Sequence, residues 1–142
     1  MGIRKISHVA IAVRDLEQQI AFYRDTLGFE LVTVEEVESQ KVKAALLRVG
    51  DSIIELLEPT DPEGAVGKFL QKRGPGLHHV SYEVDDLPGV LARLKQQGIR
   101  LVDEKPRPGA HQTEIAFVHP RATGGVLIEL STPSAAPDED HD

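Results

Sequence analysis

The feature that most constrains this chain is an internal repeat. Ile6-Ser7-His8-Val9-Ala10-Ile11-Ala12-Val13-Arg14-Asp15-Leu16 returns as Leu77-His78-His79-Val80-Ser81-Tyr82-Glu83-Val84-Asp85-Asp86-Leu87, and Ile53-Ile54-Glu55-Leu56-Leu57-Glu58-Pro59 returns as Leu127-Ile128-Glu129-Leu130-Ser131-Thr132-Pro133. The two His are 71 residues apart and the two Glu 74 apart, so each half opens on a His and closes on a Glu. A chain of 142 residues with 40% hydrophobic content buries one core of ordinary size. Two small modules sharing that core therefore fit better than two independent domains.

Within the first half, Arg4 to Val13 alternates and reads as a strand, and Asp15 caps a helix with Leu16, Ile20, Tyr23 and Leu27 on one face, ended by Gly28. Strands follow at about 29–37, 42–49 and 52–58, the last two joined by a tight Gly50-Asp51 turn. The second half repeats the order: a strand at 79–84, a helix capped by Asp86 and ended by Gly98, then strands at about 99–104, 114–119 and 125–132. The spacing thus predicts an α+β fold of two tandem β-α-β-β-β modules, about 4–59 and 77–133. A linker helix at about 61–73, with Asp61 as its cap and Pro62 in its first turn, joins them in one domain over 1–133.

Strand alternation says what shares a face with each repeated His and Glu. His8 stands with Ala10 and Ala12, His79 with Ser81 and Glu83, Glu55 with Ile53 and Leu57, and Glu129 with Leu127 and Ser131. The opposite faces, such as Val9-Ile11-Val13 and Ile128-Leu130, are apolar and read as core. If each module curls into a half-shell about a pseudo-twofold axis, His8 and Glu55 come opposite His79 and Glu129. Two imidazoles and two carboxylates, in a chain without cysteine, suit a divalent ion in roughly octahedral geometry with positions open to substrate. A central metal cavity follows. By the same alternation His78 points away from His79 and is structural, whereas His111, in a loop before a strand, could reach a substrate and His119 is architectural.

The net charge of −7 owes four of its units to Asp138, Glu139, Asp140 and Asp142, and without them it is −3. No basic stripe suggests nucleic acid, no apolar run approaches a membrane span, and no signal-peptide core opens the chain, so a cytoplasmic protein is expected. Residues 134–142 lack apolar periodicity and read as a disordered acidic tail.

The duplicated pattern with His8-Val9-Ala10-Ile11-Ala12-Val13 and His78-His79-Val80 resembles the vicinal oxygen chelate superfamily, which includes glyoxalase I, extradiol dioxygenases and fosfomycin-resistance proteins. Within it, five stretches together resemble the methylmalonyl-CoA epimerase family. They are Gly50 to Pro59, Phe69-Leu70-Gln71-Lys72, Gly76 to Val80, Gly109-Ala110-His111, and Phe117-Val118-His119-Pro120 followed by Gly124 to Leu130.

The resemblance implies a glyoxalase-like fold and a metal-dependent isomerase. In it His8, His79 and Glu129 bind a divalent ion and Glu55 takes a fourth ligand place that holds glutamine in some members. Cobalt(II) is favoured, with Mn, Ni, Zn and Mg as alternatives. It also implies an acyl-CoA substrate, propionyl-CoA metabolism and a homodimer. Glu129 and Glu55 are the expected acid/base pair for proton removal and return at C2 of methylmalonyl-CoA. One departure stands out: some bacterial members carry a glutamate where this chain has Ala44. Lys41, Lys43, Arg48, Lys72, Arg73, Lys105, Arg107 and Arg121 are all available for the CoA phosphates. A glyoxalase I-type lactoylglutathione lyase and a non-catalytic small-molecule-binding member of the fold are the alternatives.

Overall fold

The computed structural model describes residues 2–133; the acidic tail at 134–142 lies outside the described residues. Each half begins with a long strand and a capped helix. In the first, β1 (Ile3–Ala12) leads into α1 (Leu16–Ala21), where Asp15 Oδ1 accepts the Gln18 N–H and Glu58 Oε1 accepts the Leu16 N–H. In the second, β5 (Gly76–Val84) leads into α3 (Leu87–Gln96), where Asp86 Oδ1 accepts the Gly89 N–H. These caps satisfy first-turn donors that the helix itself cannot. Gly28 and Gly98, at φ 84° and 75°, end the two helical segments in the left-handed region that glycine enters without steric cost.

The remaining strands are β2 (Glu30–Val37), β3 (Val42–Val49) and β4 (Ser52–Pro59) in the first half, and β6 (Arg107–Pro108), β7 (Thr113–Val118) and β8 (Ile128–Pro133) in the second. They form one mixed eight-stranded sheet ordered β2-β3-β4-β1-β5-β8-β7-β6. The order is its own mirror image about the β1–β5 junction. β1 and β4 are parallel, β5 and β8 are parallel, and β1 and β5 meet antiparallel. Registers repeat too: Ala10 pairs with Glu55, and its repeat partner Ser81 pairs with Glu129.

Three apolar clusters hold this sheet. α1 covers Val13, Ala45, Leu47 and Leu56 with its own Leu16 and Ile20, and α3 covers Val84, Ala116, Val118 and Leu130 with Leu87, Val90 and Leu91. The third lies on the face of the repeated His and Glu, where α2 (Ala65–Arg73) sets Val66 and Leu70 against Ala10, Ala12, Val42, Ala44 and Leu57. The ligand face is thus partly a core of its own.

Four local expectations change. The first helix does not run regularly to Leu27: at Phe22–Thr26 it widens into a π turn, with Leu27 N–H bonded to Phe22 O, and Leu27 is left half exposed. The wider turn sets Tyr23 against Phe29, with ring centroids 5.4 Å apart. The linker helix starts at Ala65 rather than at Pro62, because the Asp61 carboxylate accepts the Glu63 N–H in a local turn. Segment 99–104 is no strand. It touches the sheet through a Leu101–Val118 bridge, and the Asp103 carboxylate takes the Phe117 N–H that a ladder would need. β7 instead pairs with two-residue β6, where Pro108 has no N–H to extend the ladder. Finally, the last strand begins at Ile128 rather than 125, because Gly124 and Gly125 form the preceding turn.

Candidate metal centre

The four repeated residues come together at the middle of the sheet. His8 rises from β1, His79 from β5, Glu55 from β4 and Glu129 from β8. Glu55, His79 and Glu129 are buried and His8 nearly so. His8 Nε2 lies 3.2 Å from Glu55 Oε1 and 3.4 Å from Glu129 Oε1, and His79 Nε2 lies 3.8 Å from the same Glu129 oxygen. Donor atoms of His8, His79 and Glu129 all lie within 4.8 Å of one another.

Two β-bulges aim the imidazoles. Between β1 and β5 the register skips at Ser7 and again at His78, positions that the repeat makes equivalent. Each bulged side chain turns onto its neighbour's ring: Ser7 Oγ is 3.0 Å from His8 Nδ1, and His78 Nδ1 is 2.9 Å from His79 Nδ1. The alternation argument for His78 fails here because a bulge resets strand parity. His78 lines a groove that also reaches His79 and packs edge-on against Phe69 of α2. With each Nδ1 engaged, both Nε2 atoms point to the common centre, as they do when a second side chain orients a metal-binding imidazole.

Electrostatics fit the same reading. Burial opposes charge on His8, but Glu129 and Glu55 outweigh it and push its pKa up to about 10. Burial alone would raise the Glu55 carboxyl; His111, His8 and His79 overcome that and hold it well below the usual range. Burial lowers His79, and burial together with its neighbour His79 lowers His78 to about 4. The Nε2 atoms of His8 and His79 are buried without an aligned hydrogen-bond partner among the described residues, although carboxylate oxygens surround them. Unpartnered donors converging on one point are expensive as a hydrogen-bond network. They suit a cation, and the nitrogen and oxygen donor set suits a divalent transition metal.

Beside the centre lies a cavity of about 170 Å³ with apolar walls that include Val42, Ala44 and Leu46 and with His8, Glu55 and Glu129 on its polar side. Its last titratable wall residue is His111, whose Nε2 is 3.6 Å from Glu55 Oε2 and whose Nδ1 is 3.1 Å from Glu35 Oε1. The sequence left His111 open and gave Glu35 no role. His119 is structural, its Nδ1 accepting the Arg121 N–H at 3.0 Å. Of the cations considered for phosphates, Lys41, Arg48 and Arg107 pair with Asp61, Glu30 and Asp103, while Lys72 and Arg73 line a larger groove of about 790 Å³ that reaches His79.

Comparison with known proteins gives the fold its family. The profile of the Glyoxalase/Bleomycin resistance protein/Dioxygenase superfamily matches residues 7–117. The chain is 37% identical over 140 residues to the uncharacterized protein YqjC of Bacillus subtilis, covering 99% of this chain and 100% of that one. It is 38% identical over 130 residues to the ethylmalonyl-CoA/methylmalonyl-CoA epimerase of Cereibacter sphaeroides, covering 90% and 97%. A variant of the Streptomyces coelicolor methylmalonyl-CoA epimerase, solved with 2-nitronate-propionyl-CoA, superposes with a TM-score of 0.90 at 38% identity, covering 96% of this chain and 99% of that one. On this evidence the chain belongs to the glyoxalase/bleomycin resistance protein/dioxygenase (vicinal oxygen chelate) superfamily and, within it, to the methylmalonyl-CoA epimerase family.

Proposed function

We propose that the protein interconverts the (2R) and (2S) epimers of methylmalonyl-CoA, with a divalent metal ion held by His8, His79 and Glu129 and with Glu55 in the fourth place. The observation that supports this reading most is the mirrored centre: each half supplies one His and one Glu, buried or nearly so, to a single cluster of donor atoms. The epimerase relatives support an acyl-CoA thioester as the substrate class. Cobalt(II) is the ion the family resemblance favours.

The substrate's reacting carbon lies between a thioester carbonyl and a carboxylate, whose oxygens are spaced to chelate one ion. When bound, the metal supplies Lewis acidity to the thioester carbonyl and so acidifies the C2 hydrogen. The chain's own residues then do the rest. The apolar wall of Val42, Ala44 and Leu46 receives the alkyl branch and excludes water from the reacting carbon. Glu129 carries the proton on one face. The second proton-handling group belongs on the wall where Glu55 and His111 stand together, because inversion needs an acceptor and a donor on opposite faces.

Proton NMR of purified protein with each epimer in D2O tests the proposal. Deuterium uptake at C2 with convergence of the two epimers is the expected result. No uptake from metal-replete protein, with turnover of the glutathione–methylglyoxal hemithioacetal instead, would replace it with the lyase reading.

A further inference from the structure

The cavity has four titratable wall residues: His8, Glu55, Glu129 and His111. Three of them are accounted for as ligands, which leaves His111. Its surroundings are built rather than incidental. His111 and Gln112 are consecutive non-glycine residues in the left-handed region, at φ 58° and 59°, a conformation that costs on the order of 1 kcal/mol or more per residue. Glu35, from β2 of the other half, holds that conformation: its Oε1 accepts the His111 backbone N–H at 3.1 Å and stands 3.1 Å from Nδ1. Glu35 can reach because it pairs directly with Ala44 across β2 and β3, on the face that Ala44 presents to the cavity. The small Ala44 side chain leaves the wall open there.

The His111 ring stands between two carboxylates, with Glu35 Oε1 3.1 Å from Nδ1 and Glu55 Oε2 3.6 Å from Nε2, so either ring nitrogen can carry or release a proton at the cavity wall. Both ring nitrogens are buried without an aligned hydrogen-bond partner among the described residues. Both oxygens of Glu55 face an imidazole, Oε1 that of His8 and Oε2 that of His111, whereas His8 and His79 both approach the one oxygen Oε1 of Glu129. An imidazole set between two carboxylates on the wall of a buried cavity is placed to move a proton.

We propose that His111 is a catalytic residue that takes and returns the C2 proton on one face of the substrate, opposite Glu129, and that Glu35 is its positioning residue. This rests on the epimerase reading and selects His111 over Glu55 for the second face. In the forward direction the His111 Nε2 lone pair bonds the C2 proton. The C–H electron pair shifts into the bond to the thioester carbon, whose carbonyl oxygen gains the charge. Glu129 in its protonated form then delivers its proton to the other face, the charge returns from oxygen to the new C–H bond, and exchange with solvent resets both groups. The reverse epimer runs the same steps with the two roles exchanged.

The test follows deuterium uptake at C2 from each epimer separately, with metal-replete wild type, His111→Ala, His111→Asn and Glu35→Gln in D2O. Both His111 variants are expected to lose about a hundredfold or more of the uptake from one epimer, while uptake from the other stays within about threefold of wild type. Glu35→Gln is expected to lower kcat about tenfold for the same epimer with KM unchanged, which a merely structural role would not do. Binding of 2-nitronate-propionyl-CoA, planar at the reacting carbon, gives a readout independent of turnover: His111→Ala is expected to weaken it at least about tenfold and leave propionyl-CoA binding as it was. Equal losses for both epimers, or uptake from both at wild-type rates in the two variants, overturns the assignment of His111. Absence of uptake in wild type overturns the epimerase reading and this inference with it.

Discussion

At the scale of single residues, the centre was legible because two independent regularities agreed. The repeat marked His8 with His79 and Glu55 with Glu129, and strand alternation set all four away from the apolar faces. Alternation failed at His78, where a bulge that has no signature in the residues themselves turned the ring onto His79. Glu35 was not legible either. It lies in a strand with Glu36 and near Glu38, and its partner is a loop residue 76 positions away held in a left-handed conformation. If Glu129 both holds the metal and carries a proton, Glu129→Gln retains the native circular dichroism spectrum and loses about 10²–10⁴-fold in epimerisation rate. A rate within threefold of wild type removes Glu129 from the chemistry. His78 predicts a pH dependence of stability. Unfolded, it takes up a proton near 6.5; folded, burial delays this to about 4. Between those pH values the unfolded chain binds more protons, so stability is full above about 6.5 and falls as the pH drops toward 4. Thermal melts of metal-free protein across that window show the loss, and His78→Asn is expected to flatten the slope.

At the scale of elements, the sequence indicated helix and strand identity well wherever caps, glycines and alternation coincided, as in β1, α3 and the β3–β4 hairpin. It failed where tertiary contacts overrode local pattern. Segment 99–104 alternates like a strand, but Asp103 spends its carboxylate on the Phe117 N–H, and Phe117 O takes both the Val102 and Asp103 N–H groups. Such a crossing cannot be read from one segment alone. The linker helix shows the converse, a local turn at Asp61 that delays a helix start. That turn makes Gly67 obligatory: a β-carbon there would sit 2.6 Å from the carbonyl oxygens of both Asp61 and Pro62. Gly67→Ala is therefore expected to destabilise the fold by about 1–3 kcal/mol despite alanine's better helix propensity. Urea denaturation measures it, and an unchanged or raised midpoint contradicts the packing described for α2.

At the scale of the whole molecule, the sheet order reads the same from either edge, and its symmetry is what turns two weak half-sites into one strong one. Neither half holds a complete donor set. The far edges also meet: Ser39 Oγ donates to Pro108 O, Arg107 reaches Ser39 O, and Glu35 holds His111, so the 107–112 segment of one half closes over the cavity of the other. This closure was the least legible feature, because it joins positions about 70 residues apart through turns rather than through a repeated motif. The central claim is that one ion is shared between the halves. Calorimetric titration of cobalt(II) into metal-stripped protein tests it most directly. The account predicts one ion per chain, with binding lost alike in His8→Ala and in His79→Ala. Two ions per chain, or binding that survives the loss of either half's histidine, would contradict it.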